Sequence, residues 1–375
     1  MPVFMLRCNI IWALLPKSIK CWPPPIALGV FLNHSASPPF HKKPDDKKNA
    51  PTMTTNLYTH KSFHTHEVPP GHVEHGGRYL AVENALRAEQ FADLSWQEAP
   101  RADLALAGLV HPEIYADKIA SAVAQETSAV AQENTSARAP SMAQLDADTF
   151  MGPSSLDATL RAAGGAAAGV DAVFSGQARN AFVAARPPGH HAEPDRAMGF
   201  CLFNHVAIAA HHARQRHGVR RVGVVDFDVH HGNGTEAIFW QDEEAFFASS
   251  HEWPQYPGTG RESDRGGFDN ICNAPLPTGT DGKQFTRAWG EKLLPALSDF
   301  NPEIIIISAG FDGHAADPLG GFALVESDYA WLTEQLMQVA NGCCNGRIVS
   351  VLEGGYDLDA LGSSVAAHVG ALTHH

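Results

Sequence analysis

The sequence predicts an α/β fold, one domain built around a central, mainly parallel sheet. Apolar helical patterns alternate with short β-branched runs from Thr54 onward, and no internal repeat divides the chain. Four of the runs open into clusters of polar residues and glycine, as strands do where an open α/β sheet forms a ligand crevice. With 375 residues, 44% hydrophobic and 18% charged, the chain can bury a large core and lies outside the disordered and coiled-coil classes.

The first 53 residues stand apart. Met1 to Pro44 contains no Asp or Glu, and the segment carries Pro23-Pro24-Pro25, Pro38-Pro39 and Lys42-Lys43. We expect residues 1–53 to be a disordered extension or an over-long start, with Met53 as the true first residue. The Ile10–Leu15 run is too short for a secretory core, although an acid-poor segment also suits an organellar transit peptide. Residues 54–375 are then the folded domain. Seven Lys/Arg and two Asp/Glu precede Met53, so the remainder holds 20 basic against 39 acidic residues, a net charge of −19 within a whole-chain −14. That balance disfavours nucleic acid and favours a cationic substrate.

The first strong helix follows Ser154 or Ser155 as cap. It carries Leu156, Leu160, Ala163, Ala167, Val170 and Val173 on one face and stops at Gly176. The strands are predicted at 181–185, 222–225, 245–248, 304–307 and 348–352. A second helix spans about 328–340, with Ser327 as cap, Trp331, Leu332, Leu336 and Val339 facing inward, and Gly342 beyond its end. Six Cys show no C-x-x-C spacing, and no stretch is long and apolar enough to cross a membrane; both suit a soluble, cytoplasmic protein.

The chemistry lies in four segments that follow strands: Arg186-Pro187-Pro188-Gly189-His190-His191, Asp226 to Gly234, Ser308 to His314, and Glu353-Gly354-Gly355-Tyr356. Asp228 and His230, two apart in extended chain, project to the same side and can share one ion; Asp312 can supply a third ligand. An isolated Asp-x-His is ordinarily a solvated loop, and convergence with three other segments argues otherwise. A carboxylate and imidazole set of three leaves a position open, the pattern of catalytic zinc, although iron or cobalt fits the same donors. Two carboxylates neutralise most of a divalent charge, so a separate general base is needed. His190 and His191 are candidates, Asp226 can orient one of them, and Tyr356 can donate to an oxyanion.

These residues together resemble the zinc-dependent histone deacetylases, most closely class II members and bacterial deacetylase-like amidohydrolases, over about residues 59–370. His72-Val73-Glu74, Arg78, His111, Tyr115 and Gly199-Phe200-Cys201 belong to the same pattern. The resemblance implies the three-layer α/β/α arginase-deacetylase fold and hydrolysis of acetyl-lysine side chains. It implies zinc on Asp228, His230 and Asp312, with a structural potassium near the Asp226 and Asp228 backbone. It makes His191 the general base and then acid, His190 its electrostatic partner bonded to Asp226, and Tyr356 the oxyanion donor. Gly199 would accept from the substrate amide, and Phe200 and Tyr256 would wall the acyl-lysine tunnel. Asp148 is the rim candidate for the substrate backbone. Leu319 stands where polyamine-specific relatives carry Glu, which disfavours free polyamines. Asn233 replaces the Asp of class I members, and the entrance motif lacks its usual Pro. The rivals are an amidohydrolase of acetylpolyamines or other small acyl-amines, and a non-catalytic acyl-lysine-binding scaffold; oligomerisation is left open.

Overall fold

The computed structural model describes residues 54–132 and 142–374. The extension assigned to residues 1–53 lies outside them. Among the described residues ten strands occur: β1 (Thr55–Thr59), β2 (Ser95–Glu98), β3 (Ala143–Gln144), β4 (Phe150–Met151), β5 (Asn180–Val183), β6 (Val222–Asp226), β7 (Ala245–Glu252), β8 (Ile271–Leu276), β9 (Ile304–Ala309) and β10 (Ile348–Leu352). The α-helices are α1 (Lys61–Thr65), α2 (Gly77–Leu86), α3 (Leu104–Ala107), α4 (Glu113–Gln132), α5 (Ser155–Ser175), α6 (His205–His217), α7 (Asn233–Phe239), α8 (Gly282–Ala288), α9 (Leu294–Phe300), α10 (Glu326–Cys343) and α11 (Leu358–His374).

Eight strands form one sheet in the order β2-β1-β5-β10-β9-β6-β7-β8, and every pairing is parallel. Parallel strands need helical crossovers, which is why the sheet is covered on both faces and its central strands are buried throughout. The alternation of side chains along β5 and β10 assigns the layers. A Cβ on Gly169 or Gly165 of α5 would touch Ala181, Val349 or Val183, so α5 lies almost against the backbone on that face. The intervening residues Phe182 and Ser350 point the other way and meet His368 of α11. The core is continuous along the sheet, from Leu57 to Ile271.

The five predicted strands are present, with β6, β7 and β9 running further than their apolar cores and β5 ending at Val183. Three edge-side strands escape the reading. β2 (Ser-Trp-Gln-Glu) and β1 carry polar residues, and β8 contains Pro275, tolerated on an edge strand. Helix α5 ends at Gly176 as expected, in the left-handed conformation at φ 72°. Its N-terminal serines do different work. Ser154 donates to Thr65 O and Glu67, while Ser155 Oγ accepts from Gly152 N. Helix α10 begins before Ser327, because the Asp328 carboxylate accepts from Val325 N at 2.9 Å; it then runs through Gly342 to Cys343. Among the described residues no helix is long and apolar enough to cross a membrane.

Candidate active site and metal centre

Four neighbouring strands, β5, β10, β9 and β6, carry the predicted chemistry at their C-terminal ends. Beyond Asp226 the chain turns tightly under its own carboxylates. Asp228 N donates to Asp226 Oδ1 at 3.0 Å, His230 N to Asp228 Oδ1 at 2.9 Å, and Val229 N to Asp312 Oδ1 at 2.9 Å. Gly354 N, from the β10 end, donates to Asp228 Oδ2 at 2.8 Å. These bonds leave His230 Nδ1 at 3.1 Å from Asp228 Oδ1 and from Asp312 Oδ2. One ligand atom from each residue lies within 4.8 Å of the others, and all three side chains are buried.

Such a cluster fits a divalent cation. Burial and the charge of Asp228 push the Asp312 carboxyl up to about 7, with His230 opposing them. Burial acts on Asp228 in the same sense, but His190 and His230 outweigh it and hold that carboxyl below its ordinary range. Two carboxylates cannot both stay ionised in a dry site without a cation between them. The glycines around them keep the space clear: a Cβ on Gly310 would overlap Asp228, and one on Gly354 would overlap Asp312.

The two histidines that follow β5 have separate partners. His190 Nδ1 lies 2.9 Å from Asp226 Oδ2; although burial favours the neutral ring, Asp226 and Asp228 raise its pKa to about 10. His191 Nδ1 lies 2.8 Å from Asn233 Oδ1. Burial, then the positive neighbours His190 and His230, drive the His191 pKa well below its ordinary value, leaving a neutral ring whose Nε2 can accept a proton. Asn233, read in the sequence only as a class marker, is thus the orienting partner of His191. Glu353 is another residue the sequence left without a role: its Oε2 accepts from Gly189 N at 2.6 Å and His190 N at 3.1 Å, fixing the turn that carries both rings.

Above the cluster is a cavity of about 250 Å³, lined by Asp148, His191, Gly199, Phe200, His230, Gln255, Tyr256, Leu319 and Tyr356. It gathers all four predicted substrate residues. Gly199 and Phe200 both adopt left-handed backbone, at φ 55° and 69°, and a Cβ on Gly199 would overlap the His191 ring. Phe200 packs edge-on to Tyr356 at 5.8 Å, and Tyr256 edge-on to His191 at 5.1 Å. His72 acquires a role here: it bonds Asp148 O at 3.1 Å and meets the Phe200 ring at 4.8 Å, bracing rim and wall together. His111 lies outside the cavity, bonded to Pro194 O and accepting from Asn204 N. A larger depression, about 720 Å³, opens beside β1 and β2, but it holds paired surface charges such as Glu83–Arg87 and none of the predicted residues.

The Tyr356 loop is anchored from below. Its N–H donates to Asp317 Oδ2 at 2.7 Å, and Arg78 donates to Gly355 O and Glu353 O, each at 2.5 Å. The Arg78 guanidinium sits 4.7 Å from the centre of the Tyr356 ring. Glu74 lies between Arg78, at 3.1 Å, and Arg186, at 2.7 Å, and all three are fully buried.

The family model described as "Histone deacetylase domain" matches residues 72–372, which include every group of this cavity and its support. The chain belongs to the histone deacetylase family. It is a hydrolytic enzyme of the deacetylase type. This deacetylase is 40% identical over 317 residues to the Synechocystis sp. protein slr0245, covering 84% of this chain and 97% of that one. It is 42% identical over 232 residues to Histone deacetylase 14, chloroplastic, of Arabidopsis thaliana, covering 60% of this chain and 55% of that protein. The crystal structure of the HDA15 HD domain superposes with a TM-score of 0.77 at 30% identity, over 86% of this chain and 90% of the other.

Proposed function

We propose that residues 54–375 form a zinc-dependent deacetylase domain that cleaves the amide of N-acyl-lysine side chains, acetyl foremost, releasing free lysine and acetate. The observation that carries this reading is the buried Asp228, His230 and Asp312 set at the floor of a narrow cavity walled by Phe200 and Tyr256. A lysine side chain is a slender apolar stem, which suits two aromatic walls, and its amide then lies beside His191 and Tyr356. Zinc on the three ligands supplies, when bound, Lewis-acid polarisation of the acyl carbonyl and of the water.

The remaining steps belong to this chain's own residues. His191, with Nδ1 turned to Asn233, accepts the proton of the attacking water at Nε2. His190, held by Asp226, keeps a positive charge behind the developing anion. The Tyr356 hydroxyl donates to the oxyanion of the tetrahedral intermediate. His191 then passes its proton to the leaving amine, and the C–N bond breaks. Asp148, half-buried at the rim, is suited to accept from a peptide N–H, and the −19 balance after residue 53 draws in a lysine-rich segment. A structural potassium near Asp226 and Asp228 rests on the family resemblance alone. Free cysteines Cys201, Cys272, Cys343 and Cys344 support a cytoplasmic or other reducing setting.

Turnover of an acetyl-lysine peptide, with and without a chelator, tests the reading. We expect hydrolysis that the chelator abolishes and zinc restores. Faster turnover of acetylputrescine would move the assignment to small acyl-amines, and peptide binding without hydrolysis would make the chain a binding scaffold.

A further inference from the structure

We propose that Asp171, His212 and His217 form a second metal site, which takes a divalent ion such as zinc, nickel or cobalt at the end of the sheet opposite the catalytic cavity. Asp171 lies one turn before the end of α5, His217 is the last residue of α6, and His212 is five residues earlier. The two helices run side by side in the same direction. They touch near their starts through Thr159 and His205, at 3.1 Å, and again near their ends through this cluster. Asp171 Oδ1 is 2.9 Å from His212 Nε2 and 2.7 Å from His217 Nε2, and the three donor atoms all lie within 4.8 Å of one another. Ligands 2.0–2.1 Å from one tetrahedral zinc are about 3.3 Å apart, so a small outward shift of two side chains accommodates the ion.

Three further features favour a cation. The C-terminal ends of α5 and α6 converge here, and each contributes the partial negative charge of its helix dipole. The His217 ring stacks on Phe174 with centroids 4.5 Å apart and planes 12° apart, and Phe174 also carries the Arg347 guanidinium 4.7 Å above its ring. The orientation of one ligand is therefore fixed before any ion arrives, which lowers the entropic cost of binding. Side-chain exposures of 16%, 20% and 49% for His212, His217 and Asp171 leave coordination positions for water. Two imidazoles with one carboxylate select borderline ions over calcium or magnesium, which prefer oxygen.

The site is separate from the catalytic one by topology. α5 and α6 lead into the N-terminal ends of β5 and β6, whereas His190, Asp226 and Asp228 follow from the C-terminal ends of the same strands. An ion here would tie two helices of one layer together without touching substrate. In its absence the same residues make a hydrogen-bonded tie, so the experiment must count ions.

Full-length protein is equilibrated in micromolar free zinc, gel-filtered and assayed for zinc per chain and for deacetylation. Wild type should hold two zinc ions. Asp171→Asn and His217→Gln should each hold one and keep full activity, while Asp312→Asn should hold one and lose activity. The proposal is overturned if wild type holds one ion that Asp312→Asn removes, or if Asp171→Asn and His217→Gln still hold two. Should His217→Gln fail to fold, Asp171→Asn and His212→Gln carry the same count. Failure of the catalytic reading would appear instead in the Asp312→Asn arm.

Discussion

Replacing Glu74 by Gln removes the one negative charge between two buried guanidiniums. Glu74 contacts Arg78 at 3.1 Å, Arg186 at 2.7 Å and His66 at 3.5 Å, with no exposure of its own. Burial alone would raise its pKa, but Arg186, His66 and Arg78 outweigh burial and lower it from 4.5 to about 2. By linkage that shift corresponds to about 3 kcal/mol of stability at neutral pH. Breaking a buried ion pair typically costs a similar 3–5 kcal/mol, or roughly ten degrees in melting temperature for a domain of this size. The sign is fixed by the direction of the shift. A depressed carboxylate stabilises fully above its unfolded value near 4.5 and loses that contribution as pH falls toward 2. Glu74→Gln has no such titration, so its stability gap to wild type should be full at neutral pH and close across that window. Urea unfolding at several pH values measures it. A gap below about 1 kcal/mol at neutral pH, or one that does not change with pH, would refute the reasoning. Because Arg78 also holds Gly355 O and Glu353 O, the variant should lose part of its turnover well below its melting temperature.

Tyr356→Phe keeps the ring contacts to Phe200 and Arg78 and removes only the hydroxyl. We expect turnover to fall about 10²- to 10³-fold with metal content unchanged, and near-wild-type kcat would exclude the oxyanion role. Asn233→Asp places a charge 2.8 Å from His191 Nδ1, so the acid limb of the kcat/KM profile should move to higher pH. The same change faces Glu193, to which Asn233 Nδ2 now donates at 2.7 Å, and should cost about 1–3 kcal/mol in denaturant unfolding. Gly354→Ala sets a methyl against Asp312 Oδ2 and 2.6 Å from Asp228 Oδ2, while its backbone is open to alanine. The folded variant should carry no catalytic metal by elemental analysis, and a full equivalent would contradict the assigned ligands.

The central strands and the residues behind them were legible because buried parallel strands are continuous apolar runs that end in glycine and polar side chains. Ile304–Ala309 followed by Gly310 and Asp312 is such a case. The outer strands were not, since β2 is polar and β8 includes a proline; pairing, not local propensity, makes them strands. In the site, the sequence brought out the groups that carry distinctive chemistry but, Asp226 apart, not those that hold them. Asn233 and Glu353 act on neighbours 42 and 164 positions away, at His191 and Gly189, and no local spacing encodes such a contact. Ser154 and Gly176 do bound α5, but the Ser154 side chain serves Thr65 and Glu67 in place of its own helix, and α10 is capped through Asp328 and not Ser327.

The strand order has a consequence for assembly. β10, residues Ile348–Leu352, is the last in sequence of the described strands yet lies between β5 and β9, so β2-β1-β5 and β9-β6-β7-β8 are joined within the sheet through it alone. A nascent chain halted before residue 348 would hold two partial sheets, with His190 and His191 on one and Asp228, His230 and Asp312 on the other. The strand that joins the two halves of this sheet is therefore the last of its eight to be made, and catalytic competence should appear only once residues 348–374 have left the ribosome.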